Sequence, residues 1–271
     1  MIFDLDDDRC LDPGRAGAKA AWLARGRRSG LPILPGVVVA ADESIPYVQA
    51  GVDALPKRGS GGARLVVGQA LLPDSLRDEI ERSSAHLVAP MVVRSSSPLE
   101  GSGEWSGAFT SYLEVNHAEL PKAVTGCWAS MFTVATLERF TAVGIEPGSA
   151  TMAVLIQSAL MPDFGGTARI DGDETTVIGV AGSPAPLVQG WDPGVHGKVT
   201  PTGEILGAEA IALMGESIIG AVAAILRHAR DTTGANSCEW AAVGGDIFLL
   251  QLLRTAEIRP GEEPVIPQLT G

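Results

Sequence analysis

Two hairpin signatures in the C-terminal half constrain this 271-residue chain more than any other feature. Residues 168–180 turn at Asp171-Gly172-Asp173, and residues 238–253 turn at Gly244-Gly245-Asp246. Turns of this chemistry between apolar runs pair their flanks as antiparallel strands. Residues 208–231 read as one long helix between the hairpins. Its apolar stretch carries Glu209 and Glu216, which suits a buried amphipathic helix better than a membrane span.

The N-terminal half has a different punctuation. Residues 16–28 read as a helix stopped at Ser29-Gly30. LPILPGVVVA reads as a proline-bounded turn into a strand at residues 37–39, and residues 73–84 as a charged helix. Residues 51–64 read as a glycine-rich loop of low order. Residues 120–140 carry helical periodicity, with Ala123, Cys127, Met131 and Val134 on one side. Residues 152–160 read as a central strand. Residues 91–94 form a short buried strand, and the Ser/Gly-rich segment 95–107 after it is too poor in apolar residues to be a core element.

Apolar residues at 45% and charged residues at 19% describe a globular chain. A formal net charge of −12 excludes nucleic acid or an anionic membrane as the main partner, since both require a basic surface. A nucleotide remains compatible, because a few local cations and backbone N–H groups hold a triphosphate. Cys10, Cys127 and Cys238 are odd in number and widely spaced, so the expected compartment is reducing. The acidic start MIFDLDDDRC lacks the features of a secretory signal, and a cytoplasmic location is expected.

Three places carry candidate chemistry. Lys19 lies just inside a helix start among small residues, where its ammonium can sit beside an anion favoured by the helix dipole; a solvated helix lysine is the alternative. Arg94 ends the strand MVVR before Ser95, Ser96, Ser97 and Glu100, and its donor fork suits phosphate oxygens. Gly101, Gly103 and Gly107 downstream would let backbone amides approach a polyphosphate. A structural arginine beside an ordinary loop is the alternative there. Glu239 and Gln251 flank the second turn, and folding about it sets both oxygen-bearing side chains side by side, as a hard cation touching phosphates requires. Solvent-facing residues on an amphipathic hairpin are the alternative. His86, His117, His196 and His228 show no ligand spacing. No P-loop, strand-linked G-x-G-x-x-G or G-x-S-x-G pattern occurs, which removes those three readings.

Four collinear blocks together resemble one family. GAKAAWLARGRRSGLPILPGVVV is similar to GGKGANLAxLxxAGLPVPPGFVV, and MVVRSSSPLEGSGEWSGAFTSYLEV to VAVRSSATAEDxxxxSFAGQQDTFLNV. MAVLIQSALMPDFGGTARI is similar to MAVVVQxMVxADVSGVxFT, and SCEWAAVGGDIFLLQ to DIEWAxxGGxLYLLQ. The chain thus resembles the N-terminal ATP-grasp domain of the pyruvate phosphate dikinase, phosphoenolpyruvate synthase and rifampin phosphotransferase family. The resemblance implies an α+β, ATP-grasp-like domain over residues 1–254. Its two lobes, roughly residues 1–155 and 156–254, would close on a nucleotide cleft, and residues 255–271 would form a linker-like tail.

The same resemblance implies ATP and Mg2+ as the bound groups. Lys19 and Arg94 would contact the ATP phosphates, and Gly107, Thr110 and Ser111 would belong to a lid over them. Gln157, Ser158 and Leu160 would form the hinge beside adenine, and Glu239 and Gln251 would hold magnesium. In the family a phosphoryl group, usually the β-phosphoryl, passes to a histidine on a mobile swivelling domain, here expected on a separate protein. The departures from the family pattern are Leu253 in place of an arginine, and AGSPAPLVQG at residues 181–190 in place of GLGE. Arg254 is one residue displaced and, by strand alternation, faces away from Gln251's side. These departures keep open an alternative in which the domain is a degenerate, non-catalytic binding or scaffold protein. An ATP-grasp ligase acting through an acyl phosphate ranks below both.

Overall fold

The computed structural model describes residues 1–102, 105 and 107–255. Its strands are β1 (Ile2–Asp4), β2 (Gly36–Val39), β3 (Met91–Ser96), β4 (Ser111–Val115), β5 (Ala153–Ser158) and β6 (Phe164–Asp171), then β7 (Glu174–Ala181), β8 (Val195–Val199), β9 (Ile205–Leu206), β10 (Ser237–Val243) and β11 (Asp246–Leu253). Its α-helices are α1 (Pro13–Arg28), α2 (Ile45–Gly68), α3 (Asp74–Ser84), α4 (Leu120–Ala129), α5 (Val134–Val143), α6 (Ala185–Val188) and α7 (Ala208–Thr233). The strands form two antiparallel sheets, one in the order β1-β2-β5-β3-β4 and the other β11-β10-β6-β7-β8-β9.

Alternation along each strand decides what each sheet face touches. In the first sheet Val37, Val39, Met91, Val93, Val154 and Ile156 pack with α2, α3 and α4 in one core. Their neighbours Val38, Ala153 and Leu155 point the other way and pack with Ala16, Ala20, Leu23 and Ala24 of α1. That second core continues through Trp240, Leu249 and Leu252 of the second sheet to Met214, Ile219, Val222 and Leu226 of α7. Helix α1 is therefore shared: it covers the first sheet and also packs against β11 and α7. By length and mean hydropathy, 1.8, α7 could cross a membrane, but its apolar stripe lies in this shared core.

The structure differs from the sequence reading at several places. Residues 51–64 are helical within α2, not a loop. Gly59, at φ 63, divides that helix into two pieces, and Pro56 lies inside it. Packing overrides propensity here: Val48, Ala63 and Val67 are buried in the helix-side core, and Ser60 Oγ donates to Phe132 O at 2.7 Å. The helical run 120–140 breaks at Thr133, whose side chain caps α5 by accepting from Thr136 N. Strand β5 stays paired in the first sheet through Gln157 and Ser158, and the chain passes to the second sheet over residues 159–163. Strands β1, β4, β8 and β9 are additions; β1, β4 and β8 are short and join β2, β3 and β7, and β9 extends the second sheet beyond β8.

The contact that seats α1 on the first sheet is unusually close. Gly17 has φ 72 and interrupts the helix, and a Cβ there would lie 1.9 Å from Ser96 O. Just beyond it Ala18 N donates to Ser97 O at 3.1 Å, and Ala20 N to Ser96 Oγ at 3.0 Å. Gly17→Ala should therefore lower unfolding free energy by about 2–4 kcal/mol, through strain at positive φ and displacement of β3. Equilibrium denaturation against the wild type measures this, and a loss below about 0.5 kcal/mol would contradict the close-approach argument.

Candidate functional site

One β-bulge sets the geometry of the seam between the sheets. Across β10 and β11, Glu239 pairs with Gln251 but Trp240 pairs with Leu249, which leaves Leu250 as an extra residue. The bulge resets the alternation of β11. Before it Ile247 and Leu249 face the α7 core; after it Leu252 does, so Gln251 and Leu253 fall on the outer face. Cys238 and Trp240 are likewise in that core, which puts Glu239 on the outer face beside Gln251. Directly opposed antiparallel residues share a face at a Cβ separation of roughly 4.5–5.5 Å. The fold thus juxtaposes the carboxylate and amide that the sequence reading paired.

Arg94 reaches this place from the first sheet. Its Nη1 donates to Leu250 O, the bulge carbonyl, at 2.9 Å. Burial pulls the guanidinium down from its ordinary value, and the Glu239 carboxylate opposes that shift. Ser111 is the cross-strand partner of Arg94 on β4, and Leu155 its partner on β5. Gln157, two residues beyond Leu155 and therefore on the same face, is buried and donates from Nε2 to Leu34 O at 2.9 Å. Leu249 N donates to Pro32 O at 2.8 Å and ties β11 to the loop before β2.

Lys19 is held differently from the sequence reading. Its Nζ donates to Ser95 O at 3.0 Å and to Glu100 Oε1 at 3.1 Å, while Glu100 Oε2 accepts from Ser97 N at 2.9 Å. Lysine and glutamate side chains are 8% and 4% exposed, so this is a buried ion pair and not a solvated lysine. The amides of Ala18 and Ala20 are occupied by Ser97 O and Ser96 Oγ, so the helix start is capped by the serine segment. The serines that read as a loop are fully buried, with Ser95 and Ser96 in β3.

The other sequence-derived residues divide between two faces. Ser158 lies on the helix side of the first sheet with Ile156, and its Oγ accepts from Val88 N at 2.8 Å. Thr110 lines a cavity of about 780 Å³ between α2, β4 and α4, behind that sheet and away from Arg94. Alternation separates both from the seam, whereas Ser111 and Gln157 share the Arg94 face. Gly107, at φ 71, falls between Trp105 and Phe109, whose rings stack at 5.7 Å in the helix-side core. Leu160 is in the passage between the sheets, Gly101 is exposed beside Ala18, and Gly103 lies outside the described residues. Arg254 follows β11 exposed. The reading of residues alone missed Glu100 as the partner of Lys19, although its place in the serine segment was the available signal.

Removing one member of a buried pair leaves the other charge without compensation, an effect of about 3–5 kcal/mol. Lys19→Met should destabilise the fold by that amount, and Lys19→Met with Glu100→Met should recover much of it. Denaturant unfolding of the two variants checks this; an additive double variant would show that the two charges do not interact.

Residues 14–206 match the family described as pyruvate phosphate dikinase, AMP/ATP-binding domain. The chain is 31% identical over 140 residues to the prodigiosin synthesizing transferase PigC of Serratia marcescens, an alignment that covers 49% of this chain and 16% of that protein. Among solved structures, PH1788 from Pyrococcus horikoshii Ot3 matches at 12% identity and TM-score 0.39, covering 79% of this chain and 98% of that one. A dinucleotide-forming acetyl-coenzyme A synthetase 1 of Ca. Korarchaeum cryptofilum, in complex with coenzyme A and Ca-AMPCP, matches at 12% identity and TM-score 0.34 over 67% and 82% of the two chains.

Proposed function

Because this chain belongs to the pyruvate phosphate dikinase AMP/ATP-binding domain family, we propose that it binds ATP with Mg2+ between its two sheets and passes a phosphoryl group to a histidine on a separate swivelling-domain protein. Within that family the two-sheet α+β domain is ATP-grasp-like, as the sequence blocks implied. The observation that carries the reading is the meeting of Arg94 with the Leu250 carbonyl beside the Glu239–Gln251 pair. It joins a cation from one sheet to oxygen donors from the other across one seam.

The donor set fits magnesium. Glu239 supplies a carboxylate and Gln251 an amide oxygen, and Mg2+ ordinarily takes one or two such protein ligands, completing its shell with substrate phosphates and water. When bound there, the ion would offset charge on the phosphoryl oxygens.

This chain's own residues bind and orient. Arg94 would neutralise the polyphosphate, with its cross-strand partner Ser111 bordering it from β4. Gln157, held by Leu34 O, would orient the base, and Leu160 would act as hinge in the passage between the sheets. Lys19, already balanced by Glu100, would act by holding the end of β3 and hence Arg94. No covalent residue is required in this chain, since the reaction depends on positioning and electrostatics. Cys10, Cys127 and Cys238 are free and buried, and a reducing, cytoplasmic setting is part of this reading.

One observation favours a second reading. Lys19 and Arg94 both have partners inside the protein, and Leu253 stands on the outer face beside Gln251, so the domain could be retained as a scaffold without catalysis. Calorimetry with ATP and Mg2+ separates the readings. Wild-type binding weakened about tenfold or more by Arg94→Ala and by Glu239→Gln is expected of a nucleotide site. Undetectable wild-type binding supports the scaffold. Transfer of label from ATP to a histidine-bearing partner is expected of the catalyst, and binding without transfer to such a partner counts against catalysis.

A further inference from the structure

We propose that Arg169 is a polyphosphate-binding residue of the seam; this rests on the nucleotide reading above. The register of the second sheet places it. Leu253 pairs with Ser237, Ser237 with Arg169, Arg169 with Thr176, and Thr176 with Lys198. Opposed residues share a face, so this row runs across the outer face. The adjacent row on that face is Gln251, Glu239, Thr167, Ile178 and His196. Burial agrees, since Ala168, Ile170, Val177 and Val199, which alternate with these residues, lie in the α7 core.

Arg169 is consequently a diagonal cross-strand neighbour of Glu239. Such neighbours lie about 7–8 Å apart at Cα, a span that long side chains close. A phosphate bound to an ion on Glu239 and Gln251 would fall between them. Arg169 Nε donates to Asp171 Oδ1 at 2.7 Å, two residues along the same face, and this pair orients a half-buried guanidinium. An oriented planar fork matches phosphate oxygens better than a flexible ammonium does. Lys198, further along the row, is exposed and paired with Glu174 at 3.4 Å.

The requirement for such a cation is electrostatic. The chain carries a net charge of −12, and Glu239, Asp171 and Glu174 share this face. Lys19 is ion-paired with Glu100, Arg94 keeps its charge while donating to a backbone carbonyl, and Arg169, itself paired with Asp171, would add a further cation to the seam. Its place diagonal to Glu239 sets that cation next to the metal-holding pair.

Calorimetry with Mg-ATP and with AMP tests this in the wild type, Arg169→Gln and Arg169→Lys. Arg169→Gln should weaken Mg-ATP about tenfold or more while changing AMP less than about threefold, because the residue addresses the outer phosphates. Arg169→Lys should fall between the two, keeping charge without the fork. Equal losses for both nucleotides, or no loss of Mg-ATP affinity, would overturn the proposal. A wild type that binds Mg-ATP, loses it in Glu239→Gln and keeps it in Arg169→Gln leaves the nucleotide reading standing and removes only this residue. A wild type that binds neither nucleotide removes both.

Discussion

Leu250 is the extra residue in β11, and both halves of the candidate site depend on its being there. With unbroken alternation, Gln251 would enter the core with Leu249 and Leu252 would leave it. The bulge instead keeps Leu249 and Leu252 inside and turns Gln251 outward to meet Glu239. It also presents a carbonyl to which Arg94 donates from the other sheet. A single local irregularity therefore aligns two oxygen donors and docks a cation against them.

The Lys19–Glu100 pair performs a related task at the far end of β3. Both groups are buried, and each makes a second hydrogen bond to the backbone of the serine segment, Ser95 O and Ser97 N. Buried pairs of this kind gain little over well-packed apolar side chains, yet losing one partner is strongly unfavourable. Their effect here is geometric: they lock the serine segment against the start of α1, where Gly17 allows a contact no side chain permits. Because α1 also packs on β11 and α7, the same lock bears on how the two sheets meet.

Much of this arrangement was legible because it depends on short-range chemistry. The two hairpins, the central place of residues 153–158 and the pairing of Glu239 with Gln251 follow from turn residues and period-two patterning. Residues 51–64 were not legible, because glycine and Pro56 oppose a helix locally, and burial against α4 and Phe132 outweighs that preference. Thr110 and Ser158 lie on the opposite side of the first sheet from the seam for another reason. Each adjoins a residue of the seam, but neighbours along an extended strand point to opposite sides.

Four collinear blocks in the chain determined its family and the identity of the residues that could bear on a triphosphate. Local turn chemistry and alternation were sufficient for that, since they act between residues close in sequence. Only the tertiary structure decided that Lys19 is balanced by Glu100, that Arg94 donates to Leu250 O, and that Arg169 shares a face with Glu239. Those relations join residues 81, 156 and 70 positions apart or depend on a bulge and the register of separate strands, and no periodicity within one segment encodes them.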